Sequence, residues 1–178
     1  RIAGVELVAV PNDDRGRLDP ALVKAALEGP GSPATLVCLE NTHNRCGGAA
    51  LSAEETAAVA DVARSHGAKV HLDGARIFNA AVALGVPAAE LAAPADSISF
   101  CFSKGLSAPV GSILNGSADF ISRARHMRRM VGGGMRQAGV IAAAGIVALD
   151  TMIERLAEDH ENARLLALGL AGVPGIKL

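Results

Sequence analysis

The sequence predicts an α/β fold, three layers deep (α/β/α), with a mainly parallel sheet. Two observations carry that prediction. Short apolar runs rich in Val, Ile, Leu or Phe recur along the 178 residues and end in polar or glycine-rich turns, as strands buried on both faces do. Between them lie stretches of helical length with explicit boundary signals, and strands alternating with such helices build parallel sheets covered on both faces. The length suffices for one domain with a sizeable core.

Taken in order, the first strand-like run is Val5–Val10. Asp19-Pro20 then gives an N-cap followed by proline at the first helical position, and Gly29-Pro30 closes that helix. Leu36–Leu39 is the second run. Ser52 and Glu55 have capping-box spacing, opening a helix that Gly67 ends. Val70–Leu72, Ile98–Phe102 and Val110–Leu114 complete the strands. Beyond residue 116 the pattern turns helical. A basic helix is predicted over Ala118–Met130, broken by Gly132-Gly133-Gly134. A long alanine-rich helix follows from about Gln137 to Leu156, and a last one from about His160 to Leu170.

Composition narrows the function classes. The four aromatics are all Phe, and 17 basic against 18 acidic residues leave a net charge of -1. Neither a stacking platform nor a cationic surface for nucleic acid is expected. Polar residues, Gly or Pro break every apolar stretch short of the roughly 18–20 residues that span a bilayer. Cys38, Cys46 and Cys101 form no C-x-x-C pair and the five histidines no H-x-x-x-H pair, so neither a disulfide framework nor a metal site is expected. The cytoplasm is the expected compartment.

Of four lysines, Lys24, Lys69 and Lys177 fall where a solvated surface lysine falls. Lys104 instead follows the most apolar strand, in Ser99-Phe-Cys-Phe-Ser103-Lys104-Gly105. Partial desolvation at a strand end would free its amine for Schiff-base chemistry, and Gly105 would let backbone approach a bound ring or phosphate. A strand-end lysine simply reaching solvent is the alternative. His71-Leu-Asp73-Gly-Ala-Arg76 places a carboxylate at the end of the preceding strand. In such sheets the ligand crevice lies outside the carboxyl ends of the strands, where a carboxylate can hold a pyridinium nitrogen protonated. Alternatively, Asp73 N-caps the next helix.

Glu40-Asn-Thr-His43-Asn-Arg-Cys-Gly-Gly48 packs polar groups into a loop after a strand. It would either place His43 as a proton acceptor over a cofactor or form a turn held by side-chain hydrogen bonds. Five arginines surround the later glycine run; Arg123, Arg125 and Arg128 read as a solvated helix face. Arg129 and Arg136 flank exposed backbone N–H groups in a way that suits a phosphate.

Four strings together resemble the low-specificity L-threonine aldolases, pyridoxal 5'-phosphate (PLP) enzymes of the aspartate aminotransferase fold, fold type I. They are Glu40–Gly48, His71–Arg76, Ser99–Ser112 and Gly132–Gly139; the likeness continues through Glu158-Asp-His160-Glu-Asn-Ala163. The resemblance implies that Lys104 carries PLP as an aldimine and that Asp73 pairs with the ring nitrogen. It further implies that Arg76 binds the substrate carboxylate, that Ser103 and Arg136 contact the phosphate, Arg136 from a neighbouring subunit, and that His43 takes the proton of the substrate β-hydroxyl. Arg129 stands where the family pattern has lysine, which keeps the charge without the acid–base chemistry.

The implied reaction is retro-aldol cleavage of L-threonine or L-allo-threonine to glycine and an aldehyde, in a homodimer or homotetramer with shared active sites. The resemblance also implies that residues 1–156 belong to a PLP-binding large domain whose N-terminal part is absent, and that 157–178 begin the connection to a small domain. Such a fragment would bind PLP poorly. A β-eliminating lyase or other fold-type-I enzyme is the nearest rival, and an inactive structural fragment the second.

Overall fold

In the computed structural model, which describes residues 4–31 and 34–176, four strands share one sheet in the order β1-β2-β3-β4. They are β1 Leu36–Glu40, β2 Lys69–Asp73, β3 Ser97–Cys101 and β4 Ser112–Gly116. The first three run parallel, with Glu40 beside Asp73 and Asp73 beside Ser99, so their carboxyl ends form one edge. β4 returns antiparallel to β3. Connection length decides this: helices bridge β1 to β2 and β2 to β3, whereas the loop after β3 is too short for a crossover. The α/β, mainly parallel prediction is met.

Local chemistry sets the helix boundaries. Helix α1, Pro20–Leu27, starts where the Asp19 carboxylate accepts the Ala21 N–H. Helix α2, Ala53–Ser65, has the complete capping box, with Glu55 N–H donating to Ser52 Oγ and Ser52 N–H to Glu55 Oε2. Helix α3, Ile77–Leu84, stops at Gly85, whose φ of 68° few other residues adopt. A short α4, Ala88–Ala92, has no counterpart in the sequence reading. Ser117 caps α5, Ala118–Met130, and α6, Gly139–Thr151, and α7, Leu156–Leu170, follow.

Burial alternates along β1 and β2. Leu39, Val70 and Leu72 are buried with Val59, Ala60 and Ala63 of α2, Ile77, Ala80 and Ala81 of α3, and Leu91 of α4. A second cluster, Phe102, Leu106, Ala108, Ala148 and Leu156, closes over the end of β3.

Three expectations need correction. Val5–Val10 is not a strand: it makes no ladder with the sheet, and Val5, Leu7 and Val8 are exposed. Apolar content alone does not make a strand where no neighbour pairs with its backbone. The fourth strand is shifted from Val110–Leu114 to Ser112–Gly116, because Phe102 N–H donates to the Gly111 carbonyl and ties that residue into the turn. The helix expected to run to Leu156 ends at Thr151 and α7 starts at Leu156, since Met152, Ile153 and Leu156 turn inward onto the second cluster. Lys177 lies outside the described residues.

Candidate functional site

The carboxyl edge of the parallel strands collects most of the chemistry predicted from the sequence. β2 ends in Asp73, which is exposed. Its carboxylate accepts the Ala75 N–H at 3.1 Å, forming a turn rather than a helix cap, since α3 begins only at Ile77 with Arg76 at the N-cap. The N-cap alternative for Asp73 is thereby excluded. The turn is pinned to both neighbouring strands: Asn41 N–H donates to the Asp73 carbonyl and Gly74 N–H to the Ser99 carbonyl.

The loop after β1 stands beside it. Asn41 is fully buried and its amide bonds the Leu51 backbone in both directions, at 2.9 and 3.1 Å. That brace fixes the strand end from which His43 projects. The His43 side chain is 16% exposed, with Nε2 3.9 Å from Glu40 Oε2. Its Nδ1 is buried and has no hydrogen-bond partner. Gly16 presses on the ring so closely that a Cβ there would stand 2.5 Å from His43 Cγ. Arg76 reaches across from the β2 turn, donating from Nη1 to Asn44 Oδ1 at 3.2 Å, so the Asp73 turn and the His43 loop are joined by a side chain that carries two-pronged anion-binding capacity.

Glu40, His43, Asp73 and Cys38 share a cleft of about 430 Å³ walled on its far side by Val8 and Val10. This is where the segment expected as a first strand lies. His71 and Cys38 occupy the row beneath Asp73 and Glu40 on the same face, and His71 Nδ1 is hydrogen-bonded to Ser97 Oγ at 2.8 Å. Desolvation lowers the His71 pKa from its ordinary value, opposed by the charge of Asp73. The Cys38 thiol is pushed up, first by desolvation and then by Asp73. Sequence reasoning passed over Glu40, His71 and Ser97, although the i, i+3 spacing of Glu40 and His43 and the i, i+2 spacing of His71 and Asp73 were signals available to it.

Lys104 and Ser103 lie in the loop that follows β3, at the same edge of the sheet, and both are exposed. The burial expected of Lys104 is not found, because the strand ends at Cys101 and two further residues, Phe102 and Ser103, carry the lysine outward. Gly105 also has a different reason from the one expected. A Cβ there would lie 2.6 Å from Asn79 Oδ1 and 3.0 Å from Leu156 Cδ2, so the glycine serves packing against α3 and α7. Arg129 and Arg136 line a separate open cleft of about 510 Å³ with Arg128, Gly134 and Met135. Asp73, His43 and Lys104 are not among its walls. The residues present fit PLP chemically: an accessible carboxylate ends one parallel strand, an accessible amine stands in the loop after the neighbouring strand, and an imidazole lines the cleft beside the carboxylate.

Comparison with known proteins agrees. A family model described as Beta-eliminating lyase matches residues 1–178. Low-specificity L-threonine aldolase 1 of Arabidopsis thaliana is 49% identical over 182 residues, covering 99% of this chain and 51% of the relative. A candidate L-allo-threonine aldolase from Listeria monocytogenes superposes with a TM-score of 0.86 at 26% identity, over 99% of this chain and 48% of that one. A structure of SPT with PLP matches at a TM-score of 0.60 and 25% identity, over 90% of this chain and 40% of that one. The chain spans about half the length of the Arabidopsis relative.

Proposed function

Because the chain belongs to the Beta-eliminating lyase family, matched from residue 1 to 178, we propose that it forms part of a PLP-dependent lyase. The reaction is cleavage of L-threonine or L-allo-threonine to glycine and an aldehyde. The observation that supports the proposal is that Asp73, the Lys104 loop and the His43 loop all follow the carboxyl ends of neighbouring parallel strands. The names of the Arabidopsis and Listeria relatives and the PLP in the SPT structure support the substrate and the cofactor.

PLP, when bound, supplies an electron sink for the pair released from the broken Cα–Cβ bond. Lys104 would be the residue that holds it, through its amine. Asp73 would pair with the ring nitrogen and favour its protonated form. The Arg76 fork grips the substrate carboxylate, and its bond to Asn44 keeps the fork beside the His43 loop. His43 takes the β-hydroxyl proton, the C–O bond becomes a carbonyl as Cα–Cβ breaks, and the aldehyde leaves. Cα then gains a proton, completing glycine.

Ser103 bears on the phosphate from the Lys104 loop, and Arg129 and Arg136 do so from the second cleft, Arg136 reaching into the site of another copy. A homodimer or homotetramer follows from that reading, with residues 1–156 belonging to the cofactor domain and 157–178 to the connection beyond it. The three unpaired cysteines fit a reducing cytoplasm; no described helix is long and apolar enough to cross a membrane.

The protein supplied with PLP and L-threonine should release glycine and acetaldehyde in equal amounts, and His43→Ala should lower that rate by about a hundredfold or more, the usual scale of a lost general base. β-Elimination is the second reading, favoured by the family description. Pyruvate and ammonia from serine or cysteine, without acetaldehyde from threonine, would establish it instead.

A further inference from the structure

The Glu158–Ala163 string contributes no group to the reaction proposed above, yet its histidine reaches into the fold. His160 Nε2 of α7 lies 3.2 Å from Asn79 Nδ2 of α3, in a half-buried pair 81 residues apart in sequence. The same amide turns its oxygen toward the loop that carries Lys104, where a Cβ on Gly105 would meet Oδ1 at 2.6 Å and Leu156 Cδ2 at 3.0 Å. The φ of Gly105 is not in the left-handed region, so the demand there is for space alone. The loop is otherwise closed by its own backbone, Ser107 N–H donating to the Lys104 carbonyl and Ala108 N–H to the Phe102 carbonyl. Leu106 and Ala108 anchor its far side in the second cluster with Leu156.

We infer that Asn79 and His160 are positioning residues that set the height of Lys104 above the sheet. The inference rests on the reading of Lys104 as the PLP-bearing amine. With its oxygen toward Gly105, Asn79 offers its NH2 to His160, so Nε2 accepts and the imidazole carries its proton on Nδ1. The histidine thus fixes the rotamer of the amide, and the amide forms the wall against which residue 105 rests. Groups that touch no reacting atom commonly orient those that do, and displacing a reacting amine by about 1 Å is enough to cost orders of magnitude in rate. A side chain at 160 without an acceptor leaves the amide free to rotate and the loop free to drift.

The test compares His160→Leu, Asn79→Leu and His160→Gln with the parent chain by two readouts. Amide hydrogen exchange of Ser107 and Ala108 requires no cofactor. The rate at which added PLP becomes trappable by borohydride on Lys104 reports the amine. Exchange should rise, and trapping slow, by about tenfold in both leucine variants, whereas Gln, which restores an acceptor, should stay within about twofold of the parent. If His160→Leu does not fold, His160→Ala takes its place. Leucine variants that match the parent, or a Gln variant as impaired as Leu, would overturn the inference. Absence of trapping in the parent would overturn the reading of Lys104 instead, and the exchange rates alone would then decide whether the pair holds the loop.

Discussion

The two faces of β1 and β2 are made by the same ten residues and share nothing else. On one face Leu39, Val70 and Leu72 are at most 5% exposed and pack under α2 and α3. On the other, Cys38, Glu40, His71 and Asp73 stand half-covered or open, with the Cys38 thiol and the His71 imidazole shifted first by desolvation and then by the charge of Asp73. Period-two alternation puts a core and a reactive surface on one backbone, so stability and chemistry are separable by substitution. What fixes Asp73 is the ladder beneath it and the bonds of its turn, not its own burial.

Substitutions that cross this divide test it. The largest loss of stability belongs to the packed face: Leu72→Ala should cost about 3 kcal/mol or more, the scale of a large-to-small change in a closed core, measured by urea unfolding. On the open face, Asp73→Asn should leave the unfolding midpoint nearly unchanged while weakening PLP binding about tenfold, or about 1.4 kcal/mol, measured by absorbance titration. A Leu72→Ala loss no greater than that of Asp73→Asn would erase the distinction.

A smaller effect is expected from pH. The folded-state pKa of His71 is lowered by desolvation from 6.5, so the unfolded chain takes up the proton first. The stability it contributes is complete above about 6.5 and is lost as pH falls from there toward the lower folded value. His66 acts with the opposite sign. Its pKa is raised by the Val62 carbonyl and Glu28, so its contribution is present below 6.5 and lost as pH rises through the folded value. His71→Gln should therefore flatten the acid side of the stability profile by less than about 1 kcal/mol in thermal melts at pH 5.5 and 7.5. Smallest of all, Cys38→Ser should change stability by no more than about 0.5 kcal/mol in the same melts. A larger loss would mean that the open face is packed after all.

Much of this arrangement is legible in the residues. Ser52 with Glu55, Asp19 with Pro20, and Ser117 before α5 are local signals, and the helices begin where they stand. Asp73 and Lys104 follow apolar runs, and the runs became parallel neighbours. Val5–Val10 misled because composition does not reveal whether a backbone has a partner to pair with. The alanine-rich stretch near Thr151 misled because the turn there answers to packing against Phe102 and Leu106, which lie some 45 residues earlier. The pairing of Asn79 with His160 is a three-dimensional fact for the same reason, since it joins segments 81 residues apart in sequence.

The central claim is that Lys104 is the amine that binds PLP at the edge marked by Asp73. The direct measurement is the visible absorbance of the purified protein with added PLP, followed by borohydride reduction and mapping of the labelled peptide. The account predicts a band that borohydride bleaches, a label on Lys104, and loss of both in Lys104→Ala with the fold intact. A label on another lysine, or a band that persists in Lys104→Ala, would contradict it.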